Sequence, residues 1–169
     1  MIVSFNTEGE LTLLKVGQQF ADHFSVSERI FQQNLHDYGS VFICSELFYI
    51  LDKTREFKKE PMILSSLNRS EKKQQQLITQ GARAAQSSPH VVKLAADIDC
   101  SGKADTLRTV QFIREAMQDT GIKCRIGFQK YLAVGQTLVH VDVCPEYFAE
   151  GEIWHTQLHP KVWEQALEF

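Results

Sequence analysis

The chain has little of what marks the commonest functional classes. Its 169 residues include four cysteines, Cys44, Cys100, Cys124 and Cys144, and no pair is spaced Cys-x-x-Cys. That excludes a zinc ribbon and a thioredoxin-type redox motif. The four are too few and too dispersed for the disulfide framework of a small secreted domain, so buried free thiols are expected. Basic residues are not in excess: 18 Lys and Arg stand against 21 Asp and Glu, a formal net charge of -3. Nucleic acids and anionic membranes select clustered positive charge, so neither is expected as a partner. No apolar run approaches the ~18 residues of a membrane span. Glu8 and Glu10 fall where a signal peptide has its apolar core, so a protein made in the cytoplasm without a recognisable signal peptide is expected. Gly-rich phosphate loops and the Gly-x-Ser-x-Gly elbow are also missing, which leaves nucleotide-binding and α/β-hydrolase readings unsupported.

What is present suits one globular domain spanning 1–169, expected as a monomer. Apolar residues make up 43% and charged residues 23%, inside the globular range. A chain of this length buries about two thirds of its unfolded surface and needs no staples. Periodicity predicts helices over 11–24, 25–38, 46–57, 70–85 and 104–120. The second starts with a capping-box pair, Ser25 and Glu28, and Gly121 is placed to end the last. Strands are predicted over 61–65, 91–98, 123–129, 137–144 and 152–157, with a helical turn at 162–167. Helices first and strands later predict an α+β fold, N-terminal helices packed on a mainly antiparallel sheet.

Two strands carry the chemistry. In Thr137-Leu138-Val139-His140-Val141-Asp142-Val143-Cys144 the alternation is strict, so the valines form a core face and His140 and Asp142 share the other. Taken alone, such a pair is more often a solvated polar face than a site. The second segment is Ser88-Pro89-His90-Val91-Val92-Lys93-Leu94-Ala95-Ala96-Asp97-Ile98. Its Asp97 lies among apolar residues, where an ionised carboxylate is costly unless paired or bound to a metal. Strict alternation puts positions 90 and 97 on opposite faces, so His90 can meet Asp97 only from before the strand proper or across a bulge.

Ser88, His90, Ala95 and Asp97, followed by Ile126-Gly127-Phe128 and the Val-His-Val-Asp-Val strand, form a pattern that resembles the zinc D-Ala-D-Ala carboxypeptidases and endopeptidases of peptidoglycan. That group is related in fold to lysostaphin-type peptidases and the hedgehog domain. Ser66-Leu67-Asn68-Arg69-Ser70 is similar to the family's Ser-Gly-Tyr-Arg-Ser, and His23-Phe24-Ser25 with Glu28 to the helix entry of its phage-type members. The likeness runs over roughly residues 20–155. It implies Zn²⁺ held by His90, Asp97 and His140, with a fourth position left for water. It further implies Arg69 as the cation on the scissile carbonyl and Ser88 as a substrate contact, with Asp142 as general base or as partner of a ligand. Two imidazoles and a carboxylate also suit zinc better than a hard cation. The implied substrate is a peptidoglycan peptide, reached at the cell wall after release or export by another route.

The chain departs from the family at Lys93, where a Gly is usual, at Leu67 and Asn68, and at Thr137, where many members place an acidic base. Glu152-Ile153-Trp154-His155 offers a second placement, with His155 as ligand and Glu152 as base; His140 is preferred because its whole strand matches. His23, His36 and His159 have no partner spacing. The competing expectation is a zinc-stabilised binding module that has kept the fold without catalysis.

Overall fold

The computed structural model describes residues 1–6, 10–15, 17–80 and 88–143. In chain order these form β1 (Ile2–Phe5), β2 (Leu11–Leu14), β3 (Gln19–Ala21), β4 (Phe24–Ser25), α1 (Arg29–Tyr38), β5 (Val41–Cys44), α2 (Ser45–Lys58), β6 (Ile63–Ser66), α3 (Glu71–Thr79), β7 (Ala95–Asp99), α4 (Lys103–Thr120), β8 (Arg125–Gly127), α5 (Gln129–Ala133) and β9 (Leu138–Asp142). The fold is α+β. Its largest sheet is antiparallel throughout, in the order β6-β7-β9-β8. A second sheet, β2-β1-β5, pairs β1 antiparallel to β2 and parallel to β5, and β3-β4 is a separate two-stranded pair.

Period-two alternation divides the four-stranded sheet into unlike faces. Leu64, Ala96, Ile98, Ile126, Val139 and Val141 are buried in one apolar cluster with Leu47, Ile50 and Leu51 of α2 and Val110, Ile113 and Ala116 of α4. Each large aliphatic side chain buried there contributes about 1.5–3 kcal/mol, so this face alone anchors the sheet to the helices. The opposite face is left to carry polar groups. Helices α2 and α4 are also tied together by the buried Lys58, whose ammonium donates to Asp105 and, at 3.1 Å, to Thr109 Oγ1. Helix α4 ends at Gly121, whose φ of 71° and amide bond to the Met117 carbonyl close the last turn. Only glycine takes that left-handed conformation without strain.

The helix expected over 11–24 is instead three short strands. Leu11–Leu14 pairs along β1 in register from Ile2↔Leu14 to Phe5↔Leu11. A turn follows, in which Gln18 N–H donates to the Lys15 carbonyl and Gly17 sits at φ 84°, which no continuous helix accommodates. Phe20 then closes on Phe31 and Phe48, and Phe24 on Phe48, at centroid distances of 5.2–5.4 Å, so tertiary packing decides a locally ambiguous segment. The next helix begins at Arg29, with half of the expected capping box: Ser25 N–H donates to Glu28 Oε1 at 3.3 Å. The strand expected from Val91 begins at Ala95, after a turn. The segments expected at 152–157 and 162–167 lie outside the described residues, as does Cys144.

Cys44, Cys100 and Cys124 are buried free thiols. Burial pushes Cys44 up to about 12 and raises Cys100 and Cys124 as well, which removes the reactive thiolate. Peptide mass spectrometry after treatment of the native protein with a thiol reagent is expected to find these three unlabelled, and to find all three labelled after denaturation.

Candidate metal centre

The polar face of the main sheet is organised in cross-strand rows. Ser66, Asp97, His140 and Gly127 lie opposite one another, and Ala95, Asp142 and Arg125 form the next row. A register shift between Leu64 and Ser66 brings Ser66 onto the face of Asp97. His90 arrives from the turn before β7, not from the strand, which resolves the parity conflict between positions 90 and 97.

Three donor atoms meet there. His90 Nε2 lies 3.2 Å from Asp97 Oδ1 and 3.3 Å from His140 Nδ1, and His140 Nδ1 lies 2.8 Å from Asp97 Oδ1. Four-coordinate zinc with ligands about 2.0–2.1 Å away has ligand–ligand edges of about 3.3–3.4 Å. The triangle therefore has the dimensions of one face of such a tetrahedron, its shortest edge being a direct hydrogen bond. The group could hold a metal ion. The far nitrogen of each imidazole is engaged behind it: His90 Nδ1–H donates to the Leu67 carbonyl at 2.7 Å, and His140 Nε2 faces Asp142 Oδ2 at 3.1 Å. Such outer contacts orient metal-binding imidazoles.

The charged groups of the cluster shift one another. Burial would raise the Asp97 carboxyl, but the imidazoles of His90 and His140 overcome it and hold it well below the carboxylate range. Burial disfavours a charged His140, yet Asp142 and Asp97 on its two sides raise its pKa above the ordinary 6.5. Asp142 is lowered despite complete burial, by His140 and by Arg125. Among the described residues the cluster reaches solvent at the edge where the side chains of Asp97 and Arg69 are 14% and 16% exposed.

Segment 67–69 fixes that edge. Asn68 is buried; its amide accepts from Phe42 N–H at 2.6 Å and donates to the Phe42 carbonyl at 2.9 Å, and its own N–H donates to Asn34 Oδ1 at 2.9 Å. Arg69 N–H donates to the His90 carbonyl at 3.1 Å. The Arg69 guanidinium donates to Gln74 Oε1 at 2.8 Å and Ser66 Oγ at 3.2 Å, and lies 4.0 Å from Asp97 Oδ2. Lys93, standing where a glycine was expected, takes the left-handed conformation with φ 66°. Its N–H bonds the His90 carbonyl at 3.2 Å, and its ammonium folds back onto the Val91 carbonyl. The bend into the strand is thus made by a lysine at a glycine-like angle.

The fold brings His90, Asp97 and His140 together, with Arg69 beside them. Ser88 is buried at the turn, its carbonyl accepting from Val91 N–H at 2.9 Å. Asp142 is enclosed, engaged by Arg125 and His140. The Thr137 hydroxyl donates to the Cys100 carbonyl at 2.8 Å, which ties the ends of β7 and β9 together. Glu152 and His155 lie outside the described residues. His23 contacts Asp52 and His36 contacts Asp37, away from the cluster. Sequence reasoning missed Arg125, Gln74 and the anchoring role of Asn68. The signal for Arg125 was an arginine inside the short strand ending Ile126-Gly127, whose register with the His140 strand was not legible.

No protein-family model matches the chain, and no curated protein is similar to it in sequence. Among solved structures it is similar to the L-Ala D-Glu endopeptidase ChiX of Serratia marcescens, with a TM-score of 0.54 and 14% identity. The likeness covers 72% of this chain and 97% of that one, and at this identity it shows a shared fold.

Two outcomes are expected. A non-glycine residue in the left-handed region costs about 1–2 kcal/mol, part of which glycine returns as chain entropy. Lys93→Gly should therefore stabilise the protein by roughly 0.5–1 kcal/mol in denaturant unfolding, and Lys93→Val should destabilise it. The second outcome concerns pH. Because His140 is raised by Asp97 and Asp142, with His90 and Arg125 also facing the pair, its contribution to the metal-free protein is full below 6.5 and is lost as pH rises through the folded value. Melting of wild type minus His140→Asn, followed from mildly acid to mildly alkaline pH, should narrow accordingly. Added zinc should reverse the trend, since metal and proton compete for the ring.

Proposed function

We propose that the protein is a zinc-dependent peptidase that hydrolyses amide bonds in peptidoglycan stem peptides or cross-links. The observation that carries this reading is the His90–Asp97–His140 triangle, sized for a tetrahedral ion and backed at both imidazoles. The fold likeness to an L-Ala D-Glu endopeptidase supports the substrate class. When bound, zinc supplies a Lewis acid and an activated water.

The chain's own groups divide the remaining work. The Arg69 guanidinium, held by Gln74 and Ser66 at the open edge, donates to the carbonyl oxygen as negative charge develops on it. Ser88 lines the turn that delivers His90 and contacts the substrate beside it. The burial of Asp142, with no exposed surface, supports the role of orienting His140 over that of a base meeting substrate. Reaching the cell wall then depends on release or on another export route.

A second reading, a zinc-stabilised binding module, is favoured by Thr137, whose hydroxyl is committed to the Cys100 carbonyl and has no acidic function. Metal content and hydrolysis of purified sacculi separate the two. The peptidase reading expects about one zinc per chain and turnover that chelation abolishes. His90→Ala should lose metal and melt at lower temperature. Arg69→Ala should keep zinc while the rate falls on the order of a hundredfold. Zinc without release of peptides identifies a module, and zinc retained by a His90→Ala, Asp97→Ala double variant would falsify the site. Mass spectrometry of the released peptides identifies the bond cleaved.

A further inference from the structure

Arg125 is the largest fully buried side chain among the described residues, with no solvent exposure, and its partner Asp142 is equally enclosed. The pair is bidentate: Nε lies 3.1 Å from both carboxylate oxygens and Nη2 lies 2.8 Å from Oδ2. Stability is a poor reason for such a pair, because apolar residues of similar volume usually do as well or better in a sheet interior. Its position gives a better reason. The Oδ2 atom that takes the short contact from Arg125 is the one that faces His140 Nε2 at 3.1 Å. All three residues stand on one face, Arg125 directly opposite Asp142 and Asp142 two residues beyond His140.

We propose that Arg125 is a positioning residue for the metal centre: acting through Asp142, it holds the His140 ring with a proton on Nε2, so that Nδ1 is the nitrogen left for a metal beside His90 and Asp97. This rests on the metal reading above and adds to it a residue that touches neither metal nor substrate. A carboxylate alone could rotate, or turn its other oxygen to the ring. A fork of donors on both oxygens fixes its plane, and a fixed acceptor fixes the tautomer. His90 needs no such device, because the Leu67 carbonyl, which can only accept, sets its tautomer.

The test is zinc binding to the full chain, by competition with a chelating dye, for wild type, Arg125→Met, Arg125→Lys and His90→Ala. It is paired with nitrogen-15 NMR of the His140 ring in the zinc-loaded protein. Arg125→Met should bind zinc about 10- to 100-fold more weakly while keeping its circular dichroism, and Arg125→Lys should recover part of the loss. The wild-type ring should carry its proton on Nε2, and that proton should exchange with water faster in Arg125→Met. A folded Arg125→Met that binds within about twofold of wild type, with unchanged proton exchange, overturns the proposal. If that variant does not fold, Arg125→Lys carries the test, since one ammonium cannot hold both oxygens; binding equal to wild type overturns the proposal, as does a wild-type ring protonated on Nδ1. Wild type that takes up no more zinc than His90→Ala overturns the metal reading itself, an outcome distinct from zinc uptake that ignores Arg125.

Discussion

Asp97 and Asp142 stand on the same face of one sheet, largely out of water, where an unpaired carboxylate would cost several kcal/mol. The neighbouring residue choices follow from that cost. Asp97 is compensated by two imidazoles and, at the open edge, by Arg69; Asp142 by Arg125 and the second nitrogen of His140. His140 belongs to both sets, so the charges form one connected network. A single deletion would leave a neighbour uncompensated, and pairwise accounting of the contacts would misstate their worth. The apolar face beneath bears the opposite duty, since its burial against α2 and α4 must hold a sheet whose other face contributes little net stability.

Much of this was legible in the residues. The alternation around His140 and Asp142 placed both on one face, and Asp97 among apolar neighbours signalled a carboxylate that needed a partner. The parity conflict between positions 90 and 97 left two routes, His90 before the strand proper or a bulge within it, and the turn at 89–93 supplies the first. Other features were hidden for physical reasons. Leu11–Leu14 suits a helix or a strand equally, and only pairing with β1 and the packing of Phe20 decide it. The polar face looked solvated because nothing local announces burial. Register between distant strands is a tertiary property, so the meeting of Arg125 with Asp142 could not be read from either segment. Lys93 shows the converse: a position that suggests glycine can keep its backbone angle under another residue when the surrounding turn requires it.

The side-chain amide of Asn68 has a consequence that reaches beyond the site. It bridges both backbone groups of Phe42 on β5, much as a strand neighbour would, while Leu67 beside it receives the His90 proton. Strand β5 is in turn paired in parallel to β1. Val3 of β1, paired with Phe42, and the His90 ring are therefore joined through hydrogen bonds that meet on the adjacent residues Leu67 and Asn68, although the two lie far apart in the sequence. A side-chain amide thus stands in for a strand neighbour: it holds the segment that supports the His90 ring against the sheet containing the amino-terminal strand, so the place of that ring is set in part by the first strand of the chain.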